Sequence, residues 1–246
     1  MEKQDTKLYL VFTTTFLVMH FTGVMLTGIP YILNALVTSV SVFIVFFLLQ
    51  NWNARSSVEK LFRDTGFKKV RIKAILPGVT ISIALILVYP LLGFLLSAKL
   101  VLAKNWLLNL IGLFLTAGLT EEMLFRGYLF NNLRKERNFR SAAFISTIVF
   151  SLAHLFMFFY MAWPVASLST ILAMTISVPL AYLFERANYS IWSPAILHTA
   201  IRTIGLVVTV EEEYFNELSM LWILASIIIP NIGMAIYKKA NHVTEK

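Results

Sequence analysis

Eight stretches of mainly apolar residues run through this chain, near 8–28, 30–50, 74–97, 107–130, 141–162, 165–184, 189–210 and 217–237. A helix of about 20 apolar residues is long enough to cross the hydrocarbon of a bilayer, and only a structure that satisfies its own backbone hydrogen bonds can do so. Of the 246 residues, 58% are hydrophobic and 14% charged, against roughly 25% charged in ordinary soluble domains. A soluble fold of this length cannot hide that much apolar surface. The pattern predicts an all-α polytopic membrane protein with about eight transmembrane helices, residues 1–246 forming a single integral membrane domain. Gly28-Ile29-Pro30 and Trp163-Pro164 read as tight turns between neighbouring spans. The first run is long, lacks a small-residue cleavage site and is followed by further spans, so it reads as a span and not as a secretory signal.

The net charge of +8 does not point to nucleic acid, because the basic residues lie between the apolar runs. Segments 1–7, 51–73, 134–140, 185–187 and 238–246 hold 17 of the 21 Lys and Arg residues, whereas the alternate segments hold only Lys99 and Lys104. Glu211, Glu212, Glu213 and Glu217 fall on that poorer side. The positive-inside bias places both termini in the cytoplasm. The longest inside segment, 51–73, mixes Val58, Leu61, Phe62 and Phe67 with seven basic residues and reads as an interfacial connector drawn to anionic lipid.

The absence of cysteine excludes disulfides, thiolate zinc sites and cysteine nucleophiles. The only aspartates, Asp5 and Asp64, lie outside the spans, which excludes a paired-aspartate intramembrane site. No GxSxG elbow is present for a serine nucleophile. What remains inside the spans is a short list of ionisable groups: His20, Glu121, Glu122, Arg126, His154, His198 and Arg202. Each costs about 2.5–3.5 kcal/mol at a span centre even on the lenient insertion scale, so such residues face the bundle interior and mark a site. With 1.5 Å of rise per residue, Glu121 and His198 lie roughly 14 Å and His154 roughly 20 Å from the cytoplasmic ends of their spans. These depths predict one shared cavity, open to the cytoplasm or the inner leaflet. His20 belongs to no motif and reads as a packed core histidine, and His242 as a solvated residue of the polar tail.

Glu122 and Arg126 are spaced i,i+4, within ion-pair reach on one helix face. Glu121 is turned about 100° away and lacks that partner. An unpaired carboxylate in a low-dielectric setting is the better proton acceptor. Glu121 is therefore assigned to chemistry, and Glu122 with Arg126 to scaffolding.

The stretch "EEMLFR" (Glu121, Glu122, Arg126) matches EExxxR, "FSLAH" (Phe150, His154) matches FxxxH, and "HTAIR" (His198, Arg202) stands in the place of HxxxN. In these motifs and their order the chain resembles the CPBP, or Abi, family of intramembrane proteases related to the CAAX prenyl endopeptidases. The resemblance covers roughly 105–205, the expected catalytic core, with Phe150 as structural support. It implies that Glu121 and His154 activate a water for attack on a peptide carbonyl, and that His198 with the fourth residue after it stabilises the oxyanion. The family has been read both as metal-free and as zinc-dependent. Glu121, His154 and His198 are a plausible zinc set, yet no HExxH occurs, and the metal-free reading with no cofactor is preferred. The departure is Arg202, where the family has asparagine. A guanidinium is a stronger anion partner than an amide, so oxyanion stabilisation can survive.

The resemblance implies an endopeptidase acting from the cytoplasmic side on peptides or lipidated peptides held at the bilayer. For a bacterial member it implies peptide maturation or bacteriocin self-immunity, and for a eukaryotic one prenylated CAAX tails. The short chain without organellar targeting favours the bacterial cell membrane. The competing reading is a non-catalytic membrane scaffold or partner-regulating protein that keeps the polar cluster. A transporter is disfavoured, since Gly/Pro-broken spans in matching halves are missing.

Overall fold

The computed structural model describes residues 2–52, 57–159 and 163–244, with side chains described for 6–52, 57–159 and 163–239. Helix α1 (Glu2–Met25) turns through Gly28, at φ 98°, into α2 (Tyr31–Asn51). Asn34 closes this turn by donating to the carbonyls of Gly23 (2.9 Å) and Leu26 (3.1 Å). A short helix α3 (Val58–Asp64), capped by Ser57, leads into one crossing made of α4 (Ile72–Ile86) and α5 (Val88–Leu96), which meet at Leu87. Strand β1 (Val101–Leu102) follows. The next crossing begins as α6 (Trp106–Leu113), becomes π-helical over Phe114–Glu121 and Met123–Phe130, and ends as α7 (Asn131–Glu136). Helix α8 (Phe139–His154), capped by Asn138, continues as a 3-10 turn over Leu155–Phe159. Then come α9 (Trp163–Arg186), α10 (Trp192–Ile201), β2 (Val208–Thr209) and α11 (Phe215–Thr244).

Seven helical stretches among the described residues are long and apolar enough to span a membrane. Their outward faces carry the proof of their solvent. Along α2 the buried residues are Ala35, Thr38, Ser39, Val42 and Phe46, while Leu36, Val37, Val40, Ile44 and Leu48 are exposed. Small and polar residues face the neighbouring helices and large apolar ones face out, the reverse of a soluble helix and the arrangement that lipid favours.

The eighth expected span, 189–210, is corrected by the structure: its helix is only ten residues long. Thr203 and Gly205, the latter at φ 76°, turn the chain after Ile201. The segment nonetheless runs the length of α4 and α5. At its start Ile191 N–H donates to Gly66 O (3.1 Å) and Trp192 Nε1 to Lys68 O (2.9 Å), just before α4. At its far end β2 pairs antiparallel with β1, just after α5, with Val101 opposite Thr209. A half-length helix and an extended tail thus run alongside α4 and α5, and this strand pair is the only sheet among the described residues. Trp163-Pro164 is likewise corrected from a turn to the start of α9, a place where proline costs no helix hydrogen bond. His242 lies within α11, with its side chain outside the described residues.

The basic connectors gather at one end of the bundle. Asn131 Nδ2 donates to Asp64 O (3.0 Å), and Arg134 clamps Glu185 through two hydrogen bonds of 2.6 and 3.0 Å. Connector 57–71 docks on that end through Phe62 stacked on Phe43 and Phe67 set edge-on to Trp192. Its Lys60, Arg63, Lys69 and Arg71 stay exposed. The turn 26–30 and the β1–β2 pair lie at the opposite end.

Candidate functional site

Three helices meet where the polar residues are, and glycine lets them come close. A Cβ on Gly118 would stand 2.6 Å from Thr199 Oγ1, and one on Gly78 would collide with the backbone of Ser193. Gly78 N–H instead donates to Ser193 Oγ (3.1 Å). These two contacts press α10 against the π-helical crossing and against α4, which brings His198 to the glutamate pair. The π turns, whose hydrogen bonds span five residues, are echoed by Thr120 Oγ1 donating to Leu115 O (2.7 Å). Such turns are uncommon and cluster at functional sites.

Glu122 and Arg126 form the expected ion pair, Nη1 to Oε1 at 3.1 Å, with both side chains fully buried. The same carboxylate has a second partner. His198 Nδ1 lies 2.7 Å from Glu122 Oε1, and because a carboxylate only accepts, Nδ1 carries the hydrogen. Glu122 therefore orients His198 as well as neutralising Arg126, in the manner of the carboxylate that holds a catalytic imidazole. The Arg126 guanidinium lies over the Phe150 ring at 4.4 Å. Phe150, fully buried, presents its ring edge-on to His154 and His198 at 4.7 and 6.0 Å between centroids. It is a spacer that keeps the two imidazoles apart.

His154 Nδ1 lies 2.8 Å from its own helix's Phe150 carbonyl, so this nitrogen is the donor and Nε2 is left for the cavity. Glu121, 23% exposed, stands with Oε2 3.9 Å from His198 Nε2. Its charge is also felt by His154 and Arg202. Glu121, His154, His198 and Arg202 all line one cavity of about 620 Å³. The four site residues expected from the sequence are thus brought together, and Glu122, Arg126 and Phe150 form the buried layer beneath them.

Two expectations change. The cavity opens at the end of the bundle opposite the basic connectors. Its lining comes from Phe16 to Thr27 on α1 and the following turn, from Tyr31, Asn34 and Thr38 at the start of α2, and from Met157 after α8. The physical reason lies in the fourth long helix, which extends to Glu136 rather than 130. Glu121 is accordingly farther from the end that carries the basic connectors than a span ending at 130 implies, and residues 122–130 are all buried below it. Second, Arg202 is not buried inside a span: it caps the end of α10, is exposed, and makes no ion pair among the described residues. No group of three or more His, Asp or Glu among the described residues converges as a metal-binding set, so the alternative zinc reading gains no support. Glu121, His154 and His198 do not fit zinc in this arrangement.

Sequence reasoning missed the far wall. Tyr31, Asn34, Thr38 and Thr116 give the cavity a polar side, with Tyr31 Oη 3.0 Å from Thr116 Oγ1. The i, i+3, i+7 spacing of the first three was a signal in the sequence for a polar stripe on an apolar helix. His20 packs on Phe156 at 4.4 Å between centroids, as a core histidine does, yet it also lines the cavity.

No curated protein sequence matches the chain. Residues 103–204, from just before α6 to just beyond α10, match the family model of type II CAAX prenyl endopeptidase Rce1-like proteins. That stretch contains the Glu121-Glu122 pair, Arg126, Phe150, His154, His198 and Arg202, and over it the chain is similar to the Rce1-like CAAX prenyl endopeptidases.

Proposed function

We propose that the protein is an intramembrane endopeptidase that hydrolyses a peptide bond in small membrane-associated peptides, with 105–205 as its catalytic core. The observation that carries this reading is the sharing of one cavity by the Glu121 carboxylate, 3.9 Å from His198 Nε2, and two imidazoles that are each anchored through Nδ1. An anchored imidazole holds one tautomer and offers Nε2 to the chemistry.

In the proposed reaction a water sits between Glu121 and His154 Nε2. Glu121 takes its proton as the oxygen attacks the peptide carbonyl carbon. The carbonyl double bond becomes an oxyanion, which faces the permanent positive charge of Arg202, the fourth residue after His198. The proton passes from Glu121 to His198 Nε2 and then to the leaving nitrogen as the C–N bond breaks. Glu122 steadies the imidazolium while it carries that proton. The oxyanion re-forms the carbonyl as the C–N bond breaks, and the water's second hydrogen leaves on the product carboxyl group.

The deciding experiment is cleavage of a peptide library by the purified protein in detergent or liposomes, with Glu121→Gln as control. Site-specific products that disappear with Glu121→Gln support the reading. Absence of products from the wild type across soluble and lipidated peptides sinks it.

A further inference from the structure

We propose that this active site is loaded from the extracytoplasmic side, by exported or outer-leaflet peptides that carry apolar side chains. The inference rests on the peptidase reading for the identity of the ligand, but the side of entry stands on geometry and charge alone.

Exposure along the cavity rises in one direction. At its floor Phe125 and His198 are buried and Glu121 is partly open. At its rim Val24, Thr27 and Arg202 are exposed. Beneath the floor lies solid packing, since Glu122, Leu124, Arg126, Leu129 and Phe130 have no exposed surface. A substrate arriving from that end would have to displace a buried ion pair, whereas from the 26–30 end it meets an open rim.

Charge fixes which end is which. Segments holding 17 of the 21 Lys and Arg residues belong to the sealed end, including the docked 57–71 segment and the Arg134–Glu185 clamp, against Lys99 and Lys104 in the connector at the open end. At the open end the strand pair is followed by Glu211, Glu212 and Glu213. Lys and Arg in short loops remain on the cytoplasmic side during insertion, so the sealed end is cytoplasmic and the rim faces outward. Two unlike walls then describe what fits. Phe16, Met19, Val24 and Met157 form an apolar wall, and Tyr31, Asn34, Thr38 and Thr116 a polar one. An extended peptide entering between them buries apolar side chains against α1 while its amides hydrogen-bond to α2.

The chain has no cysteine, so single cysteines report sidedness without further engineering. Thr27→Cys at the rim and Thr116→Cys on the inner wall are to be tested with a membrane-impermeant sulfonated maleimide. Lys60→Cys on the basic connector serves as the opposite marker. In sealed right-side-out vesicles Thr27→Cys and Thr116→Cys are expected to be modified and Lys60→Cys not, with the pattern reversed in inside-out vesicles. Modification of both cavity positions only in inside-out vesicles, or of neither from either side, overturns the proposal. Because labelling needs no catalysis, outward labelling combined with an inactive purified protein would defeat the peptidase reading and leave the side of entry standing.

Discussion

On the side of Glu121 that faces the basic connectors residues 122–130 are packed and buried; on the other side a cavity of about 620 Å³ opens. Both regions are built from the same few residue types, a glutamate, a histidine, an arginine and aromatic rings. In the packed layer Glu122 and Arg126 pair through Oε1 and Nη1, Phe150 lies against the guanidinium, and solvent is excluded. In the hollow region Glu121, His154 and Arg202 share a cavity and make no hydrogen bond or close ion pair with each other. Position relative to the packed floor therefore decides role, and residue type does not. Adjacent glutamates face opposite sides of that floor, Glu121 toward the cavity and Glu122 into the packed layer.

The largest expected effect separates the pair. Glu121→Gln keeps size and hydrogen-bonding shape but removes the proton acceptor, so cleavage should fall at least about 10²–10⁴-fold, the range for a general base, while the melting temperature stays near wild type. Glu122→Gln strips a buried charge pair of one partner, and such losses cost about 3–5 kcal/mol of stability. Thermal unfolding and cleavage measured on both variants test the division. Equal activity loss at equal stability would erase the distinction between floor and cavity.

A sharper version replaces the pair together. Well-packed apolar residues in place of a buried ion pair are often neutral or stabilising. Glu122→Leu with Arg126→Met should therefore recover much of the stability lost in Glu122→Gln. It should not recover cleavage, because His198 Nδ1 loses its acceptor at 2.7 Å. Recovery of both would mean that Glu122 acts only as the counter-ion of Arg126.

How much of this division could be read from the sequence differs between the two regions. The floor was legible because the i,i+4 spacing of Glu122 and Arg126 encodes their contact directly. The convergence of Glu121, His154 and His198 was legible because apolar spans make every intramembrane charge conspicuous. The cavity's direction was not. It depended on the six residues by which the fourth long helix outruns its apolar stretch, and Arg134 and Lys135 in its last turn look like loop residues to any hydropathy argument. The short α10 was hidden for the opposite reason, because Ile204, Leu206, Val207 and Val208 are apolar without being helical. The link from His198 to Glu122 joins positions 76 residues apart, and a pairing across helices leaves no local spacing to detect.

Arg202 sharpens the comparison at the cavity rim. Removing one preorganised oxyanion donor typically costs 10²–10³-fold in turnover. Arg202 is exposed, so ions and water screen its charge, and Arg202→Ala should cost less, about 10–100-fold, mainly in kcat. Arg202→Asn should retain more activity than alanine, since an amide can still donate to the oxyanion. Raising the salt concentration should slow the wild type toward the asparagine variant. Wild-type turnover in the alanine variant would remove Arg202 from the chemistry and leave it as the cap of α10.

The smallest effect belongs to the polar wall. Tyr31→Phe deletes the hydroxyl that meets Thr116 Oγ1 at 3.0 Å but leaves the ring that fills the groove over Gly112, where an added Cβ would stand 2.9 Å from it. Thr116 keeps its own bond to Gly112 O (3.0 Å), so no donor is stranded. A net hydrogen bond is worth about 0.5–1.5 kcal/mol, and at this partly open site the lower end applies, a shift of about a degree or two in melting temperature. Turnover of bound substrate should be unchanged, because the hydroxyl faces the peptide's path and not the reacting carbonyl. KM should rise slightly, as one amide partner on the α2 wall is lost. A fall in kcat without a change in KM would place Tyr31 among the groups acting on the scissile bond, and the boundary between wall and reactive centre would have to be redrawn one helix turn farther out.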